Sequence, residues 1–304
     1  MNQRFPTHHP LFFRNTSHQS DFEKNGFVII PFYNPAQINT LYELYYKLSP
    51  SNEIGFFPST FSKDTNYRNT VDTEIRKTAE HIIGDTFVNT KTVCGSFIVK
   101  KPGNESEMGI HQDMTLVDES KWCGINVWCP LCNLTKHNGT LFVLPKSNRL
   151  IPTLRGATIP SIYQDGEVQS LIKKYAHPIY LKAGQAIAFD PSIIHFSPPN
   201  ITNTDRVVTN IYLTHKDARF ITAYWDKYNF GNFVELFEQP DDFFTNFEQF
   251  GNDIMEKPKM GKSIGKVPYQ FPLLTADQLR KTYTTTKPIA HLLKKIFSYA
   301  RTNL

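Results

Sequence analysis

The chain has 304 residues, enough for one large domain or two small ones. Hydrophobic residues make up 40% and charged residues 20%, which excludes wholesale disorder. The net charge of +5, from 33 basic and 28 acidic residues, is too mild to mark a nucleic-acid surface.

No stretch reaches the roughly 18 apolar residues of a membrane span. The opening MNQRFPTHHPLFFRN holds no continuous apolar segment of a secretory signal, so a cytoplasmic location is expected. Cys94, Cys123, Cys129 and Cys132 are too few for a disulfide scaffold. Cys129 and Cys132 form a CxxC inside the apolar run INVWCPLCNL, with no second pair to complete a zinc site. Buried thiols are the expectation.

In chain order, residues 21–33 combine a charged start with a strand-like run. Asn34 and Pro35 then suit a helix start, and Ile38, Leu41, Leu44, Tyr45 and Leu48 follow the helical period. A second helix is expected over 70–83 with Gly84 as its stop. From residue 91 the period shortens. KTVCGSFIVKK, CGINVWCPLCNL, GTLFVLP, HPIYLKA, QAIAFD and RVVTNIYLTH are short, apolar and rich in β-branched or aromatic residues, with turn signals between them. Such a series suggests a sandwich or barrel decorated by N-terminal helices. Residues 233–256 interleave phenylalanines with seven acidic residues and no basic one, which suggests an amphipathic helix. Residues 257–266 read as a basic loop, and a last helix is expected over 288–301. Its ordinary role is core packing with a solvated basic face; the sharper one is docking of an acidic partner.

The chemistry concentrates in two segments. His111 and Asp113 are two apart, so on extended backbone both side chains face one side. His195 ends an apolar run at a distance in sequence, where a third ligand from another strand would sit. Two histidines and one carboxylate make the facial triad of non-haem Fe(II) oxygenases, with positions left for a chelating cosubstrate and O2. A 2-oxo acid also needs a cation for its far carboxylate. Arg206, at the start of RVVTNIYL, has the forked guanidinium for it, and Ser197 offers a hydroxyl.

In this pattern the chain resembles the phytanoyl-CoA dioxygenase family of Fe(II)/2-oxoglutarate-dependent oxygenases. The resemblance rests on F-x-x-N-G-F-V-I-I at 22–30, H-Q-D at 111–113, N-G-T-L-F-V-L-P-K-S-N at 138–148, and L-K-A-G-Q-A-I-A-F-D at 181–190 followed by His195, Pro199-Asn200 and Arg206. It implies a mainly β fold with flanking helices and a double-stranded β-helix (jelly-roll) core at about 20–220, in one domain over 1–304. Residues 221–304 lie outside the recognisable match and are expected to pack on the core as a mostly helical extension. The resemblance also implies Fe(II) held by His111, Asp113 and His195, 2-oxoglutarate held by Arg206 and Ser197, and Trp128 as an aromatic beside the cosubstrate. Lys146 and Asn148 depart from the family's P-G-S-H, and His137 stands where an acidic residue is common. Asp113 occupies the place that is Ala or Gly in related halogenases, which favours oxidation without halide.

Hydroxylation of a small molecule, with release of succinate and CO2, is the expected activity. Desaturation, epoxidation and cyclisation share the same triad, and a non-catalytic jelly-roll binding protein is the rival of a different kind. The basic loop and last helix motivate a variant in which the substrate is carried on coenzyme A or a carrier protein. Met114, Trp122, Asn126 and Tyr212 are candidate substrate contacts, because they lie beside the metal motif or in register with it. Lys100 and Lys101 end the strand before the metal loop, where solvation is the ordinary role and an anionic substrate the sharper one. Loops within 50–70 and 155–170 are the expected substrate lid.

Overall fold

The computed structural model describes residues 11–48, 53–246 and 256–284. Its first helix, α1 (Thr16–Asn25), starts because Asn15 accepts from the backbone N–H groups of Ser17 and His18 at 2.9 and 3.2 Å. It ends at Gly26, whose φ of +82° suits glycine. The charged start of residues 21–33 is therefore the last turn of a helix, and strand β1 covers Phe27–Pro31. Helix α2 (Pro35–Leu48) begins as expected: Asn34 Oδ1 accepts from Gln37 N–H, and Gln37 Oε1 accepts from Asn34 N–H. Strand β2 (Phe56–Pro58) follows.

Helix α3 runs from Thr65 to Thr86, capped by Asp64, and so passes through Gly84. Gly84 lacks the left-handed backbone of a helix stop. The helix ends instead where the chain turns to pair Phe87 with Phe13 and Val88 N–H with the Phe12 carbonyl.

The sheets follow. They comprise β3 (Thr90–Lys100), β4 (Met108–His111), β5 (Gly124–Pro130), β6 (Leu141–Val143), β7 (His177–Ile179), β8 (Gln185–Phe189), β9 (His195–Ser197) and β10 (Arg206–His215), with helix α4 (Gly166–Tyr175) before β7. A six-stranded sheet has the order β1-β8-β5-β10-β3-β2, and a four-stranded sheet the order β4-β9-β6-β7. From β3 to β10 the chain crosses repeatedly between these two antiparallel sheets, which is the jelly-roll winding.

Strand alternation sorts the side chains. Phe97 and Val99 of β3, Val127 of β5 and Ile211 of β10 point to the helical side, where they bury Leu41 and Tyr45 of α2 and Val71, Ile75 and Ala79 of α3. Gly95 lets α3 come close: a Cβ there would lie 2.9 Å from Ile75 Cγ2. Residues of opposite parity, including Ser96, Asn126, Trp128 and Asn210, line a cavity on the other face.

Beyond β10, the expected mostly helical extension is corrected. Strands β11 (Ile221–Tyr224), β12 (Phe233–Glu238) and β13 (Lys262–Pro268) form a third antiparallel sheet, with only a single turn, α5 (Phe243–Asn246), and α6 (Ala276–Tyr283) as helix among the described residues. The start of the expected amphipathic helix is a central strand because β12 finds partners on both edges and buries Val234, Leu236 and Phe237. Glu235, buried with them, accepts from Ser263 Oγ and pairs with Lys257 at 2.9 Å. Much of the expected basic loop is β13. Residues 247–255 and the expected last helix at 288–301 lie outside the described residues. No described helix is long and apolar enough to cross a membrane. The four cysteines are free, three of them buried, as expected of core thiols.

Candidate active site

His111 closes β4 and His195 opens β9, and the two are direct antiparallel partners with ring centroids 4.0 Å apart. Each ring is turned by a local carbonyl: Nδ1 of His111 lies 2.8 Å from the Gly109 oxygen, and Nδ1 of His195 lies 2.9 Å from the Ile193 oxygen. A carbonyl accepts only, so each Nδ1 carries the hydrogen and each Nε2 keeps its lone pair. Asp113 follows β4, held by its N–H donating to the Pro191 carbonyl at 2.8 Å. Its Oδ1 is 3.8 Å from both Nε2 atoms. The three donor atoms lie within 4.8 Å of one another, the only such cluster of three among the described residues. Burial, and the neighbouring His195, push His111 down to about 3. It is a neutral imidazole, the form that ligates a metal.

The carboxylate has a support that sequence reasoning did not assign. Asn126, expected as a substrate contact, donates Nδ2 to Asp113 Oδ2 at 2.6 Å. Asn210 donates in turn to Asn126 Oδ1 at 3.0 Å. An ionised carboxylate only accepts, so it orients the first amide, and the first orients the second. Arg155 adds a further tie. Its Nε donates to the Asp113 carbonyl at 2.6 Å, and its guanidinium pairs with Glu119. Asn210 carried a readable signal as a second amide in an apolar strand run; Arg155, in an irregular loop, carried none.

Arg206 opens β10 and is 2% exposed, yet its Nε and Nη1 have no hydrogen-bond partner among the described residues. The guanidinium carbon lies 5.2 Å from the centroid of the Trp128 ring. Burial pulls Arg206 down to about 10. A buried guanidinium with free donors costs stability unless an anion joins it, and a carboxylate matches its fork. Directly across the ladder stands Lys100, which corrects its expected solvation. Inward by strand parity and fully buried, it donates Nζ to the carbonyls of Ser106, Ser197 and Pro198. Lys101, of opposite parity, pairs with Asp205 at 2.8 Å.

The two histidines, Asp113, its asparagine and arginine supports, and Arg206 line one cavity of about 510 Å3, whereas Lys100 and Lys101 are not in its wall. It brings together His111, Asp113, His195, Arg206, Ser197, Trp128, Met114, Asn126 and Tyr212. Trp122 is not in its wall; it stacks on His215 with ring centroids 4.2 Å apart. Sequence proximity to the metal motif did not bring it in, because the turn before β5 carries it outward. Tyr212 fits its place only because residue 124 is glycine: a Cβ there would lie 2.0 Å from the Tyr212 hydroxyl. Segments 56–61 and 153–163 supply much of the rest of the wall, from the two loop regions expected to cover the site. His137 is exposed in a turn. The donor set fits a divalent iron and the orphaned Arg206 fits the far carboxylate of a 2-oxo acid.

A family model described as phytanoyl-CoA dioxygenase (PhyH) matches residues 22–208. No curated protein matches the chain. Similar solved structures include EvdO2 from Micromonospora carbonacea var. aurantiaca complexed with 2-oxoglutarate, at 18% identity over 68% of this chain and 94% of that one, TM-score 0.45. EctD from S. alaskensis with 2-oxoglutarate and 5-hydroxyectoine is 16% identical over 72% of this chain and 81% of that one, TM-score 0.48. The non-heme alpha ketoglutarate dependent epimerase SnoN from nogalamycin biosynthesis is 13% identical over 86% of this chain and 96% of that one, TM-score 0.49. Matched over more than half of its length, the chain belongs to the phytanoyl-CoA dioxygenase family of oxygenases that use Fe(II) and 2-oxoglutarate.

Proposed function

We propose that this protein hydroxylates an unactivated C–H bond of a small molecule, consuming 2-oxoglutarate and O2 and releasing succinate and CO2. The observation that carries this reading is Arg206: a buried guanidinium with free donors, in the same cavity as two histidines and a carboxylate converging on one point. A binding protein that merely kept the fold has no use for either feature.

His111 Nε2, Asp113 Oδ1 and His195 Nε2 would hold one face of the iron, leaving the opposite face for cosubstrate and O2. When bound, iron with 2-oxoglutarate supplies the oxidising power that breaks a substrate C–H bond. Arg206 fixes the far carboxylate of 2-oxoglutarate, with the Trp128 ring stacked near its guanidinium and Ser197 beside it in the wall. Asn126 and Asn210 keep Asp113 in one orientation, and the apolar wall excludes water from the reacting carbon. With iron bound, Asp113 would occupy the place that a halide would need, which favours transfer of oxygen.

The test is aerobic turnover under labelled O2 with a panel of small molecules. A true substrate should accelerate succinate formation and leave with one labelled oxygen atom. Loss of two hydrogens without label would replace hydroxylation by desaturation. Absence of any 2-oxoglutarate turnover in iron-loaded protein would overturn the reading.

A further inference from the structure

The cavity wall contains five charged or basic side chains among the described residues: His111, Asp113, Arg155, His195 and Arg206. Each already has a task. Three face the iron position, Arg206 faces the cosubstrate, and Arg155 is spent on Glu119 and the Asp113 carbonyl. Nothing charged is left over for a substrate. The apolar part of the remaining wall includes Phe56 and Phe61 from one segment, Ile159 and Ile162 from another, and Leu116 and Leu154.

The mouth has the same character. The exposed residues of the wall are Phe61, at 45% exposure, Pro160 and Ser161. All three are uncharged. A coenzyme A or carrier-protein thioester would bring phosphates to this rim, and none of the exposed residues that line the cavity is a lysine or arginine. An anion pushed into the cavity would lose its water without gaining a partner, which is far more costly than burying a neutral group.

We infer that the substrate is a neutral, lipophilic small molecule that enters free, not an anion and not a thioester held by its phosphates. The inference rests on the oxygenase reading, which leaves Arg206 to 2-oxoglutarate. Affinity then comes from apolar area, and orientation from the uncharged polar groups in the wall, among them Asn210 and Ser96.

The test compares matched probes on one protein. Anaerobic enzyme is first loaded with Fe(II) and 2-oxoglutarate, and formation of the visible band of the ferrous chelate is recorded. Decan-1-ol against decanoate, and 1-naphthylmethanol against 1-naphthoate, are then titrated calorimetrically, with decanoyl-coenzyme A as the thioester. The alcohol of at least one pair should bind at least tenfold more tightly than its acid, and decanoyl-coenzyme A should bind no more tightly than decan-1-ol. If the band forms and the acids match the alcohols, or the thioester binds best, or neither alcohol binds, this inference is overturned while the oxygenase reading stands. If the band never forms, both fall.

Discussion

Asn126 donates Nδ2 to Oδ2 of Asp113 at 2.6 Å, leaving Oδ1 as the oxygen that faces His111 and His195. The carboxylate is thereby held with one oxygen turned towards the two imidazoles, ready for a metal on the proposed site. Partners of this kind typically contribute ten- to a hundred-fold in metal affinity. Asn126→Ala should weaken Fe(II) binding by about that factor in an anaerobic titration. Asn210→Ala, one step further out, should weaken it less. Unchanged affinity in both variants would show that Asp113 needs no support.

Arg206 predicts a division between stability and binding. Without an anion its burial is uncompensated, so Arg206→Met should raise the unfolding free energy of ligand-free protein by about 1–4 kcal/mol. Wild type should in turn gain about 2.7 kcal/mol at 2-oxoglutarate concentrations a hundred-fold above its dissociation constant. At the same concentration the variant, binding at least tenfold more weakly, should gain at least about 1.3 kcal/mol less. Denaturant unfolding with and without 2-oxoglutarate checks both halves. A variant less stable than wild type and stabilised by 2-oxoglutarate as much as wild type would contradict the assignment.

His111 sets a dependence on pH in metal-free protein. Burial and His195 hold it near 3, while in the unfolded chain a histidine protonates near 6.5. The unfolded state therefore binds a proton that the folded state refuses, and stability falls as pH drops below about 6.5 towards 3. Between pH 8 and pH 5 the loss from this residue is about 1–2 kcal/mol. His111→Gln should remove that part of the acid sensitivity, read from denaturant midpoints at the two pH values.

Lys146 carries a strain with a simple remedy. Its φ is +67°, in the left-handed region, at the position where the family motif has glycine. Its own N–H donates to the Asn25 carbonyl, a bond that glycine would keep. Lys146→Gly should stabilise the protein by about 0.5–1 kcal/mol without altering metal binding. Thermal unfolding and the Fe(II) titration together check this.

What the sequence disclosed and what it hid follow from the range of the interactions involved. The convergence of His111, Asp113, His195 and Arg206 on one cavity was legible because metal and carboxylate chemistry, where it is expected, restricts both residue type and neighbourhood. The helix start at Asn34 was legible because capping is local. The Asn126–Asn210 link was not, because it depends on which strands become neighbours: Asn210 reaches Asn126 only once β10 pairs with β5. Lys100 and Lys101 look alike in sequence, yet strand parity buries one under three carbonyls and leaves the other with Asp205. Gly84 misled because a glycine in a helix stops it only when the backbone turns left-handed. Phenylalanine spacing after residue 233 misled because pairing on both edges, not local period, decided for strand.

The most direct measurement is an anaerobic titration of Fe(II) into apoprotein with excess 2-oxoglutarate, following the weak visible band of the chelate. Wild type should develop the band, His111→Ala should not, and Arg206→Ala should need at least tenfold more 2-oxoglutarate to reach it. No band in folded wild type, or an identical band in all three proteins, would contradict the placing of iron on His111, Asp113 and His195 and of the cosubstrate on Arg206.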